Sequence, residues 1–320
     1  MTRKIPTFDL SEFYKDKEGF AQRLGTAYQE FGFVGLTNHG VPDDIIKANY
    51  DACKAFFAQP EDIKKRYYNP EGMGQRGYTP FGVEGAKDRA LGDLKEFWHT
   101  GRDLPADSPY RAIMADNYNV AEVANFDKAT RALFASLEGA GDIVLRALAI
   151  YLKQPEDFFA AKTNCGNSIL RTIHYPPIDD LETPALRAGA HEDINLITLL
   201  VGSGEPGLEV QARDGEWIPI DTIPGTIVCN IGDMLQRFTN NVLPSTTHRV
   251  VNPTGEGRRI ARYSSPFFLH LNPDVVISTL PSCITADRPN AYPEPIRAND
   301  YLLERLREIG LGGQQKKQVA

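Results

Sequence analysis

Between Ser168 and Phe268 the chain is cut into short apolar runs by turn signals, among them Gly204-Glu205-Pro206-Gly207, Asp214-Gly215 and Pro224-Gly225. Short runs rich in Ile, Val, Leu and Thr, each closed by Gly or Pro, read as strands. Many such strands in succession favour two sheets folded face to face, a double-stranded β-helix of the jelly-roll or cupin-like type. Much of the remaining chain has helical spacing. The expected class is therefore α+β with a mainly β core, flanked by helices that include one long one.

Three pieces of this stretch carry side chains that ask for chemistry. Ala190-His191-Glu192-Asp193-Ile194-Asn195 opens a run to Val201, bounded by Gly189 and Gly202, which the pattern predicts as one strand. Residues i and i+2 share a strand face, so His191 and Asp193 are predicted to point the same way. His248, in Ser245-Thr246-Thr247-His248-Arg249-Val250, is the candidate third ligand. The 54 residues between Asp193 and His248 are enough for several strands to turn back on themselves. Two imidazoles and one carboxylate with open positions beside them suit a non-haem Fe(II) centre, whereas a structural zinc site is commonly closed by four ligands. The bland alternatives are a polar pair on an exposed strand edge and an ordinary histidine. The third piece, Arg258 to Ser264 ahead of Phe267-Phe268, again reads as a strand, with Arg262 and Ser264 on one face. A guanidinium fork beside a hydroxyl suits a carboxylate. Arg258 and Arg259 read as a solvated strand end.

In this order the motifs resemble the isopenicillin N synthase-like branch of the Fe(II)- and 2-oxoglutarate-dependent oxygenases. The family pattern His-x-Asp, His, Arg-x-Ser falls on His191, Asp193, His248, Arg262 and Ser264. Asn230-Ile231-Gly232-Asp233-Met234-Leu235, the run His248 to Pro253, Ile5 to Leu10 and Phe31 to Pro42 match as well, so the likeness covers essentially the whole chain. The resemblance implies a jelly-roll enzyme in which His191, Asp193 and His248 hold Fe(2+). Arg262, Ser264 and Tyr175 would then hold 2-oxoglutarate, and O2 is the other cosubstrate. It implies oxidation of a small molecule, by hydroxylation, desaturation or cyclisation, with release of succinate and CO2. Three alternatives stay open: an oxidase of the same branch that uses no 2-oxoglutarate, an enzyme forming ethylene and succinate from 2-oxoglutarate, and a non-catalytic binding module.

The rest of the chain bounds this reading. Its 320 residues are long enough for a large core, and the net charge of −7 with a pI near 5.5 argues against nucleic acid as partner. Cys53, Cys165, Cys229 and Cys283 are widely spaced, with no Cys-x-x-Cys, which fits a reducing cytoplasm. No apolar leader and no long apolar segment is present, so neither secretion nor membrane spanning is expected. A cytoplasmic monomer follows as the expectation.

The expected divisions are an N-terminal region, 1–116, supplying substrate loops; a scaffold helix, 117–155; a jelly-roll core, 156–296; and a C-terminal helix and tail, 297–320. Helices are predicted around 17–31, 43–58, 118–153 and 298–309, and strands at 5–8 and 32–37. His39 sits in a turn and reads as structural. Residues 69–110 are punctuated by glycines and read as irregular, the kind of long loop that is often functional. Within it Gly77 to Glu84 and Asp93 to His99 resemble bacterial members of the family. By that resemblance Tyr78, Glu84 and Lys87 are candidate substrate contacts, whereas His99, after Phe97-Trp98, reads as packed. In the strand Ser168 to Pro176, alternation puts Ile169, Arg171, Ile173 and Tyr175 on one face and His174 on the other. Arg171 is thus a further substrate candidate beside Tyr175. Plant relatives usually carry Asn where this chain has Ile173, which argues against a closely plant-like function. The tail Gly312 to Lys317 has the composition of a disordered segment.

Overall fold

The computed structural model describes residues 4–84, 93–178, 183, 185–202, 204–220 and 225–308. In chain order its main strands are β1 (Thr7–Asp9), β2 (Phe33–Thr37), β3 (Gly77–Thr79), β4 (Glu96–Gly101), β5 (Ile169–Tyr175) and β6 (Ala188–His191). They continue with β7 (Ile197–Gly202), β8 (Leu208–Gln211), β9 (Trp217–Pro219), β10 (Ile227–Ile231), β11 (His248–Val250) and β12 (Arg262–Leu269). The helices are α1 (Lys17–Phe31), α2 (Asp43–Phe57), α3 (Glu61–Lys65), α4 (Phe126–Tyr151), α5 (Ala160–Thr163), α6 (Asp233–Phe238) and α7 (Ala298–Glu308).

Eight strands form one sheet in the order β1-β2-β10-β7-β12-β5-β4-β3, antiparallel throughout except for β1 against β2. Four more, β6-β11-β8-β9, form the facing sheet of the jelly roll. Strands from the first hundred residues thus belong to the large sheet itself. The run Ala190 to Val201, expected as one strand, is two: β6 ends at His191 in the small sheet and β7 begins at Ile197 in the large one. The chain crosses between sheets here, and Asn195 stabilises the crossing by donating to Ile197 O and Thr198 Oγ1.

The irregular reading of 69–110 also needs correcting, because β3 and β4 lie inside it. β4 is buried on both faces, with Glu96 and Trp98 on one side and Phe97 and His99 on the other. Its polar residues hide the alternation that normally marks a strand.

The long helix starts later than its apolar spacing suggests. Asn125 sits at φ 60, outside the helical region, and the Val120 N–H bonds Asp127 Oδ1 at 3.2 Å, which ties the preceding segment back onto the first turn. From Phe126 onward the helix buries Leu133, Leu137, Val144 and Leu148 against the large sheet and α1. Each such side chain contributes roughly 1.5–3 kcal/mol. Gly25 lets α1 approach closely, since a Cβ there would stand 2.2 Å from the Tyr151 ring. Among the described residues no helix is long and apolar enough to cross a membrane. Lys87 and the tail 312–317 lie outside the described residues.

Candidate active site

The small sheet positions two imidazoles. His191 and His248 are register partners on β6 and β11, and their ring centroids lie 4.4 Å apart. His191 Nδ1 lies 2.8 Å from Gly189 O, and His248 Nδ1 lies 3.1 Å from Thr246 O. An Nδ1–H that donates to a carbonyl leaves the lone pair on Nε2. Phe33 packs edge-on to the His248 ring and holds its plane.

Asp193 comes from the loop after β6, not from the strand. Thr198 Oγ1 and Asn230 Nδ2 both donate to its Oδ2, at 2.6 and 2.8 Å. Oδ1 is left facing His191 Nε2 at 4.0 Å and His248 Nε2 at 3.8 Å. Gly232 makes room for the loop, because a Cβ there would meet Asn195 Oδ1 at 2.2 Å.

One ligand atom from each of His191, Asp193 and His248 lies within 4.8 Å of the others. A first-row cation keeps nitrogen and oxygen donors at about 2.0–2.2 Å, so one ion can bridge the three. Protonation suits the same role. Burial, then the neighbouring His248, pushes His191 down to about 4, although its ring opens to a cavity. For Asp193 burial alone would raise the pKa, but His248, His191 and the two hydrogen bonds outweigh it and hold the carboxyl below its ordinary value. Neutral imidazoles and an ionised carboxylate are the forms that bind metal.

Two cavities meet at this triad. The smaller, of about 60 Å³, runs between the sheets to Arg262, Ser264 and Tyr175. Arg262 and Ser264 are buried register partners of Tyr175 and Ile173 across β12 and β5. The Arg262 guanidinium lies 5.1 Å from the Tyr175 ring centre and donates from Nη1 to Ser264 Oγ at 3.3 Å. Among the described residues its Nε has no hydrogen-bond partner. A buried cation lined by Leu200, Leu208 and Val250, with a donor left over, calls for an anionic ligand. Arg187, buried with its own Nε unpartnered, stands close to Arg262 and the Tyr175 ring and was not expected here.

The larger cavity, 410 Å³, opens on the other side of the triad. Glu84 and Arg171 both line it, joined by a two-pronged ion pair at 2.8 and 3.0 Å. Lys95 Nζ reaches Glu84 Oε1 at 2.8 Å and Asp93 Oδ2 at 2.9 Å. Burial opposes the charge on Glu84, yet Arg171 and Lys95 hold its carboxyl far below the usual range. Lys95 is likewise disfavoured by burial and raised by Glu84 and Asp93.

His99 is packed as expected but also faces this cavity. Its Nε2 accepts from Arg171 Nε at 2.6 Å while Nδ1 contacts Gly74 O. Tyr78, expected among the substrate contacts, lies instead in the core on the opposite side of the large sheet. There its hydroxyl donates to Glu96 Oε2 at 2.6 Å and its ring packs on Phe56. Register explains it: Tyr78 pairs with Trp98 on β4, and Trp98 points to that same side. Asp93, Lys95 and His270 were missed as cavity residues, although Asp93 and Lys95 fall inside a motif that already drew attention. The C-terminal helix α7 adds Leu302, Arg305 and Leu306 to the lining.

Comparison with known proteins agrees with this geometry. Residues 5–122 match the family model described as the non-haem dioxygenase in morphine synthesis N-terminal region, and residues 166–271 match the 2OG-Fe(II) oxygenase superfamily. A 2-oxoglutarate-Fe(II) type oxidoreductase, hxnY, of Emericella nidulans is 31% identical, over 98% of this chain and 93% of its own length. Among solved structures, a protein of the 2OG-Fe(II) oxygenase family from Caulobacter crescentus is 52% identical with a TM-score of 0.89, covering 97% of this chain and 100% of that one. The full-length Neurospora crassa T7H in complex with alpha-KG is 28% identical with a TM-score of 0.85, covering 95% of this chain and 96% of that one.

Proposed function

The chain belongs to the isopenicillin N synthase-like 2OG-Fe(II) oxygenase superfamily, and we propose that His191, Asp193 and His248 hold its Fe(II) while Arg262, Ser264 and Tyr175 hold 2-oxoglutarate. The protein is an Fe(II)- and 2-oxoglutarate-dependent dioxygenase. The observation that carries the residue assignment is the second layer around the triad: Thr198 and Asn230 fix Asp193, and two carbonyls fix both imidazoles with Nε2 turned inward.

When bound, iron and 2-oxoglutarate supply the oxygen-activating chemistry, in which 2-oxoglutarate is decarboxylated to succinate and CO2 as a substrate C–H bond is oxidised. The chain does the rest. Arg262 and Ser264 grip the far carboxylate and so set which end of the cosubstrate reaches the triad. Leu200, Leu208 and Val250 keep water from the narrow cavity between them.

Arg171, supported by Glu84, orients a small-molecule substrate in the larger cavity. Relatives of this kind include a protein named as a proline hydroxylase and the Neurospora enzyme crystallised with thymine. Four free cysteines and the acidic charge support a cytoplasmic monomer with no nucleic-acid partner. Residues 1–116 add substrate-side groups to a core at 156–296, with 117–155 as scaffold and 297–320 as the C-terminal helix and tail.

Calorimetry under anaerobic conditions tests the assignment. Fe(II) should bind wild type and not Asp193→Ala, and 2-oxoglutarate should bind the iron-loaded wild type far more tightly than iron-loaded Arg262→Ala. Equal 2-oxoglutarate affinity in the last two would remove Arg262 from its role.

A further inference from the structure

The wall of the larger cavity holds two buried cations and two buried anions that already neutralise one another. Glu84 takes both Nη atoms of Arg171 and the Nζ of Lys95, and Lys95 also reaches Asp93. The second oxygen of Asp93 accepts the Gly189 N–H at 3.1 Å. A third cation on the lining, Arg305, is held by Asp233 at 3.2 Å and Glu308 at 2.6 Å. Glu192 accepts from Thr247 Oγ1 at 3.1 Å. A carboxylate entering here would meet Glu84 and Asp93 as like charges and would find each cation already paired. An ammonium meets like charges at Lys95 and Arg171 but finds in Glu192 a lining carboxylate bonded to a hydroxyl. Desolvating an ion without an available counter-charge is heavily penalised in such a site.

What the wall offers is directional hydrogen bonding. Arg171 carries five N–H groups. Its Nε–H goes to His99, and Glu84 takes one from each Nη, which leaves one N–H on Nη1 and one on Nη2 without an acceptor among the described residues. The guanidinium cannot swing away, since Phe97 and Phe268 lie 4.1 and 5.3 Å from it.

A second observation is independent of this network. His270 is 5% exposed and lines the same cavity, and its Nδ1 has no hydrogen-bond partner among the described residues. Burial pushes its pKa down to about 4, so the ring is neutral and can donate or accept according to tautomer. Ile169, Ile194 and Phe268 provide apolar contact.

Taking the larger cavity as the substrate site, as proposed above, we infer that its substrate is a neutral molecule bearing an amide-type group (an amide, lactam, imide or ureide) and not an acid. The carbonyl takes one of the outward N–H groups of Arg171, and His270 complements a further polar atom. Glu84 is the positioning residue that keeps the wall neutral.

The test uses probes matched in shape and differing in charge: benzamide against benzoate, and orotamide against orotate. Each is titrated calorimetrically into protein loaded with Mn(II) and 2-oxoglutarate, where no turnover occurs. The neutral member of each pair should bind at least about tenfold more tightly. Glu84→Gln, which leaves the wall with a net positive charge, should erase or reverse that preference. Equal or tighter binding of the acids by wild type overturns the inference, as does failure of both classes to bind while Mn(II) and 2-oxoglutarate still do. The wild-type comparison decides even if Glu84→Gln does not fold. Failure of Mn(II) and 2-oxoglutarate to bind is a different result: it removes the site assignment, and the inference with it.

Discussion

His191 and His248 face one another across the antiparallel ladder of β6 and β11, so the metal geometry is written into a strand register. A slip of one residue would turn one imidazole to the other face of the sheet. Asp193 has no such ladder to hold it and depends on Thr198 and Asn230, both bonded to its Oδ2. Thr198→Val removes one of these donors without touching the metal. It should weaken metal affinity by about ten- to a hundredfold, measured as metal retained during dialysis against graded chelator. Wild-type retention would show that Oδ2 needs no restraint.

The anion end of the smaller cavity should respond differently from the metal end. Arg262→Ala removes a buried, charge-assisted contact of the kind that costs about 2–5 kcal/mol, or roughly 30- to 4000-fold in 2-oxoglutarate affinity. Ser264→Ala removes one neutral hydrogen bond and should cost only about 1 kcal/mol. Iron binding should stay near wild type in both. Collapse of iron occupancy with 2-oxoglutarate affinity intact would reverse the roles given to the two clusters.

The proposed ligand set was legible because each of its parts has a short-range signature: His-x-Asp, a later His, and Arg-x-Ser on a strand face. Alternation along β5 placed Arg171 and Tyr175 on the cavity side and His174 on the other, and the structure agrees. What escaped depends on pairing over long distances. β4 reads as loop because Glu96 looks like a surface residue until Lys64 and Tyr78 are brought to it. Tyr78 was misplaced for the same reason, since its face is set by pairing with β4. Asp93 and Lys95 gain meaning only beside Glu84, and α7 reaches the cavity only in the folded molecule.

The back of the large sheet supplies a contrast. His174 stacks between Phe57 and Tyr263 and bonds Glu96 Oε1 at 2.8 Å, away from both cavities. His174→Ala should therefore leave kcat and the KM for 2-oxoglutarate unchanged. Loss of the stacking and of one partner of buried Glu96 should lower stability by about 1–3 kcal/mol, read from urea unfolding. A large fall in kcat at unchanged stability would place His174 in the reaction.

Acid stability follows from two buried histidines. Burial pushes His270 from 6.5 to about 4, and burial with Arg171 beside it holds His99 well below 6.5. Both are neutral in the fold, whereas in the unfolded chain they titrate near 6.5. Below that value the unfolded state binds more protons, so stability that is fully present above about pH 6.5 is lost as the pH falls toward 4. For His270 the loss reaches roughly 3 kcal/mol at the acid end, from about 1.4 kcal/mol per pKa unit. Glu84 stays ionised in the fold across this window, and its unfolded carboxyl takes up a proton near 4.5, so it adds to the loss only at the acid end. The urea midpoint of the metal-free protein should therefore drop between pH 6.5 and 4. His270→Phe, which cannot take up the proton, should show a visibly shallower drop. A variant whose midpoint falls as steeply as wild type would mean that His270 is already protonated in the folded protein, and the neutral imidazole assigned to the cavity wall would go with it.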